Sequence, residues 1–150
     1  MTRIKKYMMA STLLILVSAC LPSTLFHSFL SVNLNGWERG DTLVFKPIVN
    51  DSISNKQVLL EVRNTTKYAY TSLLLCMECR TNNQVTRIDT FNYPITNEQG
   101  TWKGAGNIYK QSALLLYNHY TPHTEYRIWH CMGDEKVKGI ESIGLHIKRK

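Results

Sequence analysis

One stretch indicates the fold class most clearly: Tyr126-Arg127-Ile128-Trp129-His130-Cys131-Met132. Its side chains alternate between a mainly apolar set and a mixed set. Successive side chains of an extended chain point to opposite faces. One face of this segment therefore carries Tyr126, Ile128, His130 and Met132. The other face carries Arg127, Trp129 and Cys131. A strand with one apolar face packs that face on a core, so the stretch predicts a half-buried antiparallel strand.

A second segment shows the same two-residue alternation. Its apolar face carries Leu73, Leu75, Met77 and Cys79, and its other face carries Cys76 and Glu78. The late apolar positions Ile140, Ile143, Leu145 and Ile147 form a third such segment, with His146 and Lys148 expected to point to solvent. Alternation in several short segments is typical of antiparallel sheets with one covered face.

No stretch after Cys20 has a sustained helical period, and short apolar runs recur instead between turn residues. Eight strands are predicted, at residues 26–34, 42–47, 57–63, 72–80, 87–95, 111–117, 124–132 and 142–148. The pattern predicts an all-β fold, a single antiparallel β-sandwich of jelly-roll or Ig-like type. We expect this domain to occupy residues 25–150.

The N-terminus predicts a cleaved lipoprotein signal peptide over residues 1–19. Basic residues come first, an apolar run of about ten follows, and Ser18-Ala19 precede Cys20. That run is too short to span a bilayer core, which needs roughly 20 residues. Cys20 is expected to receive the lipid, with residues 20–24 as a short tether to the membrane. The alternative is an ordinary secretory signal ending near Ala19.

The net charge leaves most classes of partner possible but argues against nucleic-acid binding. Removing residues 1–19 removes Arg3, Lys5 and Lys6 and no acid, which lowers the net charge from +7 to +4. The remaining basic residues are scattered, apart from the tail at 148–150, and form no basic stripe. We therefore expect membrane attachment through the lipid and no nucleic-acid binding.

Three cysteines follow Cys20, so at least one thiol is unpaired or bonded to another molecule. Cys76 and Cys79 form a C-x-x-C motif, but redox pairs of this kind lie at helix starts. Here the pair lies late in a strand, where residues i and i+3 face opposite ways. A zinc site would draw only on His130 and Cys131 nearby. The expected arrangement is buried thiols, with any cross-strand bond made to Cys131 and the pairing left open.

The remaining motifs favour packing over chemistry. Gly104-Ala105-Gly106 follows Trp102 and precedes no helix, so it is not a nucleotide-binding loop. The five histidines, including His27 and His146, show no metal-binding or catalytic spacing. We expect no enzyme activity and no cofactor. Three tryptophans, Trp37, Trp102 and Trp129, are expected to pack in the core or an interface, with a sugar-stacking platform as the alternative.

An ordered set of motifs runs through the chain after Cys20. Its most specific members are W-x-G-x-G at residues 102–106 and G-I-x-x-I-G-L at residues 139–145. Other members are Trp37 with residues 41–45, then 59–64, 68–70, 73–75, 89–90 and 126–132. The set resembles the gliding-motility lipoprotein GldH family of Bacteroidetes. Structural roles are expected for Trp102, Gly104, Gly106, Gly139, Ile140 and Gly144.

The resemblance implies a β-rich envelope lipoprotein that acts with the gliding machinery and the secretion system coupled to it. It implies no enzyme activity and supplies no catalytic residues. This chain departs from the family at Ala69, where a proline is common, and at Gly133, where an arginine is frequent. Non-gliding members exist, so the resemblance does not imply that the cell glides.

Together these observations predict a structural or interaction protein that binds other envelope proteins. A lipid-anchored carbohydrate-binding module is the first alternative, and a thiol or metal enzyme is the second. Residues 21–25 lack an aspartate after Cys20 and an acidic run. We therefore expect attachment to the outer membrane with the domain facing the periplasm. The sequence does not specify the partner, the interface or the oligomeric state.

Overall fold

A computed structural model describes residues 23–33, 35–49, 55–106 and 110–150, which contain ten strands and no helix. The strands are β1 (Thr24–Ser31), β2 (Trp37–Glu38), β3 (Leu43–Phe45), β4 (Lys56–Asn64), β5 (Ser72–Thr81), β6 (Gln84–Pro94), β7 (Lys110–Tyr117), β8 (Thr124–His130), β9 (Lys136–Val137) and β10 (Ile140–Arg149). Those ranges therefore hold no helix able to cross a membrane. The predicted signal peptide, residues 1–19, and Cys20 lie outside the described residues.

Eight of the strands form two four-stranded antiparallel sheets. Sheet I has the order β1-β10-β4-β7, and sheet II has the order β3-β8-β5-β6. Every neighbouring pair in both sheets is antiparallel. Sequence neighbours repeatedly lie in different sheets, as two interlocked Greek keys require. The all-β sandwich prediction is confirmed, and of the two types named, the strand order is that of a jelly roll.

The core lies between the two sheets because each contributes its alternate residues to one cluster. Sheet I contributes Val58, Leu60, Val62, Ile143, Leu145 and Ile147. Sheet II contributes Leu73, Leu75, Met77, Cys79, Tyr126 and Ile128. The side-chain alternation predicted for β5 and β8 is confirmed by this burial. The hydrophobic effect over these residues is the main force holding the sheets together.

The remaining two strands form a small ribbon in which Trp37 pairs with Val137 and Glu38 pairs with Lys136. Trp37 is fully buried, and its indole N–H donates to the carbonyl of Asp41 at 2.8 Å. This ribbon was not among the strands predicted from the sequence. Each of its strands is two residues long, which is too short to display any period.

Candidate functional site

Among the described residues, the outer face of sheet II carries the widest mixture of charged, aromatic and apolar side chains. Pairing across β8, β5 and β6 arranges it in three rows, Trp129-Cys76-Thr90, Arg127-Glu78-Ile88 and Glu125-Arg80-Val85. We call these nine residues the sheet II face. Cross-strand neighbours lie about 4.5–5.5 Å apart, so each row forms a continuous surface.

The charged residues of the sheet II face pair mainly with one another. Glu78 accepts from Arg80 and lies 3.7 Å from Arg127. Glu125 lies 3.3 Å from Arg127 and 3.1 Å from the ammonium of Lys46 on the neighbouring chain segment. The hydrogen bond from Lys46 lowers the pKa of Glu125. Because opposite charges alternate, no large field of one sign covers this surface.

The edge of the sheet II face is apolar. Strand β6 ends the sheet order, so one of its backbone edges has no strand neighbour among the described residues. Ile88 is 63% exposed and Val85 is 48% exposed, both on β6. At one end, Lys46, Arg80 and His123 line an open groove of about 290 Å³. Exposed apolar side chains beside an unpaired edge are a common feature of protein-binding surfaces.

The two cysteines of the C-x-x-C motif lie on opposite faces of β5, as expected for strand residues three positions apart. Cys76 bonds Cys131 on the outer side of sheet II, closing a separation of 55 residues. Cys79 is free and buried in the core, where burial raises the pKa of its thiol. A raised pKa reduces the thiolate fraction, which makes the thiol a poor nucleophile. The C-x-x-C motif therefore forms no dithiol pair.

Polar side chains connect the edges of the two sheets. Tyr117 at the end of β7 donates to Asp89 on β6, and Arg87 lies 2.6 Å from the same carboxylate. The Arg87 guanidinium is 4.5 Å from the centre of the Tyr117 ring. Burial alone would raise the pKa of Asp89, but these two hydrogen bonds lower it overall. The cluster ties sheet II to sheet I and has a structural role.

A second polar cluster lies on the outer face of sheet I. His27 on β1 faces His146 on β10, and their stacked rings have centroids 4.5 Å apart. Glu61 on β4 reaches both rings, at 3.1 Å from His27 Nε2 and 3.2 Å from His146 Nδ1. We call these three residues the His-Glu-His cluster. Its three side chains come from adjacent strands.

Alternation correctly placed His146 on the outer face of β10, but its side chain is more covered than predicted. Its side chain is only 17% exposed because His27 stacks on it and Glu61 lies beside it. Burial lowers the pKa of His146, and neighbouring His27 lowers it further. The cluster is not evident in the sequence, because its members lie 34 and 85 residues apart. A glutamate among apolar strand residues was the only signal for it.

The three tryptophans do not share one surface. Trp37 is fully buried, Trp102 packs half-buried against the core, and Trp129 belongs to the sheet II face. Trp102 forms an isolated bridge with Thr96. Gly104 is half-buried, and Gly106 has a φ of 125°. A platform that needs all three indoles is therefore absent from the described surface.

Strand β10 contains Ile140 and Gly144, and Gly139 directly precedes it. Gly139 has a φ of 88°, and a Cβ there would come within 2.4 Å of the Tyr68 backbone nitrogen. Ile140 is buried in the core. A Cβ at Gly144 would come within 2.5 Å of the Phe29 ring. Both glycines allow another chain segment to approach closely.

The architecture defines the class: a two-sheet β-sandwich domain with a self-paired polar face and an apolar edge. The family model described as GldH lipoprotein matches residues 24–147 of this chain. The chain therefore belongs to the GldH lipoprotein family, and the predicted resemblance is confirmed.

Two curated relatives agree with this assignment. The chain is similar to the gliding motility lipoprotein GldH of Flavobacterium johnsoniae, with 24% identity over 146 residues, covering 91% of each chain. It is also similar to a gliding motility lipoprotein GldH homolog of Christiangramia forsetii, with 24% identity over 148 residues. That match covers 91% of this chain and 90% of the relative. Both matches run nearly end to end, so they concern the whole domain.

Proposed function

We propose that this protein is a lipid-anchored interaction component of a gliding-motility machinery and the protein-secretion system associated with it. Membership of the GldH lipoprotein family over residues 24–147 carries the proposal. The protein has no catalytic role in this proposal, and its partners are other envelope proteins. Whether the cell itself glides is a separate question.

The sheet II face is the surface proposed to bind those partners. Ile88 and Val85 supply exposed apolar area, and Trp129 supplies an aromatic side chain of the kind enriched in interfaces. The paired charges around Glu78 suit the polar rim of such a contact. The buried position of Trp37 and Cys79 weakens the carbohydrate-binding and thiol-enzyme alternatives.

The anchor is proposed to be Cys20, acylated after removal of residues 1–19. Strand β1 begins at Thr24, so a tether of only a few residues would hold the domain close to the bilayer. Mass spectrometry of the mature protein should find an acylated Cys20 at its N-terminus. An unmodified N-terminus at another position would refute the anchor.

The domain is proposed to face the periplasm from the outer membrane. Protease treatment of intact cells should then leave it undigested, whereas treatment of permeabilised cells should degrade it. Digestion in intact cells would place the domain on the cell surface and refute this orientation.

Co-purification from detergent-solubilised envelopes tests the proposed function. The tagged full chain should retain stable protein partners that belong to the motility or secretion machinery. Retention of glycan without a protein partner would support the carbohydrate-binding alternative. Thiol-exchange activity without a protein partner would support the enzyme alternative. Either of the last two outcomes would refute the interaction role.

A further inference from the structure

The outer face of sheet I brings together two imidazoles and a carboxylate in a geometry that suits a metal ion. One ligand atom from each of His27, Glu61 and His146 lies within 4.8 Å of the others. We propose that the His-Glu-His cluster is a Zn²⁺ site, with three protein ligands and one position open to solvent. This inference is independent of the proposed interaction function.

The distances are close to the ligand spacing of a tetrahedral zinc centre. Zinc bonds nitrogen and carboxylate oxygen at about 2.0–2.2 Å, which separates neighbouring ligand atoms by roughly 3.3–3.6 Å. The observed separations are 3.1 Å from Glu61 Oε2 to His27 Nε2 and 3.2 Å from Glu61 Oε1 to His146 Nδ1, so each carboxylate oxygen faces one ring. To bind one ion, the two ring nitrogens and one carboxylate oxygen, which lie within 4.8 Å of one another, would have to converge on it. Two histidines and one glutamate form a donor set used by zinc sites that keep one position open.

The burial of Glu61 and His146 supports the same conclusion. The Glu61 side chain is only 7% exposed, although it lies on the outer face of the sheet. A buried carboxylate needs compensating positive charge. The His146 side chain is only 17% exposed, so two of the three candidate ligands are largely shielded from water. A divalent cation held at this position would contribute such charge.

Thr24 contacts one of the three proposed zinc ligands, His146. Its hydroxyl lies 3.0 Å from His146 Nε2, on the ring side opposite Glu61. When zinc occupies Nδ1, the proton moves to Nε2 and donates to the Thr24 oxygen. Hydrogen bonds of this type hold a ligating histidine in the tautomer that the metal requires. Thr24 is therefore a positioning residue for His146.

The open position faces solvent beside His27, whose side chain is 38% exposed. On the other side of the cluster, the Phe29 ring packs over Gly144 and beneath the Arg63 guanidinium, 3.5 Å from its centroid. This arrangement closes one side of the site and leaves the other open. Bound zinc would tie β1 to β10 and β4, because each strand contributes one ligand.

The proposal is tested with the full chain in detergent, after it has been stripped of metal. Calorimetry and metal analysis then measure how Zn²⁺ binds to it. We expect one equivalent of Zn²⁺ to bind. His27→Ala, at the exposed edge of the sheet, should lower the affinity by more than 100-fold. His119→Ala is the matched control, since His119 is an exposed histidine outside the cluster, and it should bind zinc as the wild type does. Thr24→Val should lower the affinity about 10–100-fold, and Thr24→Ser should restore it.

A second measurement does not depend on the stability of any variant. Co²⁺ added to the wild-type chain should give the intense visible absorption of a four-coordinate site with nitrogen and oxygen ligands, and Zn²⁺ should displace it. Absence of stoichiometric zinc binding to the folded wild type would overturn the proposal. Equal affinity in wild type and folded His27→Ala, or a cobalt spectrum with thiolate bands, would also overturn it.

Discussion

Gly139 is the residue whose backbone is least able to accept a side chain. Its φ is 88°, and an added Cβ would meet the backbone of Tyr68 at 2.4 Å. Because backbone atoms cannot rotate away, the clash must shift a chain segment. Gly139→Ala should therefore lower the free energy of unfolding by about 1–3 kcal/mol, measured by chemical denaturation.

Gly133→Ala is the matched control for that prediction. Gly133 is exposed, has no atom within 4 Å of the added Cβ and is not among the residues with positive φ. Its free energy of unfolding should stay within about 0.5 kcal/mol of the wild type. Equal stability of the two variants would contradict the close approach of β10 to Tyr68.

His130 is expected to make stability depend on pH. It is fully buried beside Trp37, with the two ring centroids 5.4 Å apart. Burial lowers its pKa below the ordinary 6.5. The unfolded chain therefore binds the proton more tightly, and stability falls as pH drops below about 6.5 toward the folded-state pKa. Urea midpoints at pH 7.5 and pH 5.0 should show this loss.

Two variants isolate the contribution of His130. His130→Leu removes the titrating group and should lose less stability between pH 7.5 and pH 5.0 than the wild type does. The residual loss reflects His146, whose pKa is also lowered, and carboxyl groups with a lowered pKa such as Glu125. His119→Leu, at an exposed position, should retain the full wild-type dependence. Identical pH dependence in wild type and His130→Leu would show that His130 does not titrate as proposed.

At the scale of strands, the Cys76–Cys131 bond joins β5 to the end of β8. The bond closes a long loop, so its removal increases the conformational freedom of the unfolded chain. Reduction, or the pair Cys76→Ser with Cys131→Ser, should lower the free energy of unfolding by about 2–5 kcal/mol. Denaturation with and without a phosphine reductant measures the difference.

Cys79→Ala is the control for the disulfide. Cys79 is free and buried, so this variant should keep the full sensitivity to reductant. In the wild type, Cys79 should react with a thiol reagent only after unfolding. Rapid labelling of two or three thiols in the folded, unreduced chain would contradict the disulfide. Envelope assembly should not depend on the C-x-x-C thiols, provided the domain folds.

Most strands could be predicted because burial on one face imposes a period of two. Strand β5 shows this directly, since Leu73, Leu75 and Met77 are buried and Leu74 is not. Strand β6 extends three residues further toward its N-terminus than predicted, because its exposed residues Gln84–Arg87 carry no burial pattern. The pairing of β2 with β9 is long-range, and no local pattern encodes it.

The candidate sites were less predictable than the strands. A cluster such as His27, Glu61 and His146 exists only after the order β1-β10-β4 and its register are fixed. Alternation correctly placed Cys76 and Cys79 on opposite faces. It could not choose which of them bonds Cys131, because that depends on how β5 pairs with β8.

At the scale of the whole molecule, anchoring should depend on Cys20 alone. Cys20→Ala should remain uncleaved by the lipoprotein peptidase and lose the acyl group, because the cysteine supplies both the acylated thiol and the new amino group. Fractionation and mass spectrometry of the variant measure both effects. A cleaved, membrane-attached Cys20→Ala protein would contradict this mode of attachment.

The central claim is that the sheet II face binds another envelope protein. Site-specific photo-crosslinking in the native cells tests it most directly, with a photoreactive residue replacing Ile88 on that face. Ser31, which is exposed at the end of β1 on the opposite edge of sheet I, is the control position. We predict a discrete crosslink to an envelope protein of the motility or secretion machinery from position 88 and none from position 31. No crosslink from position 88 in correctly anchored protein, or the same products from both positions, would contradict the claim.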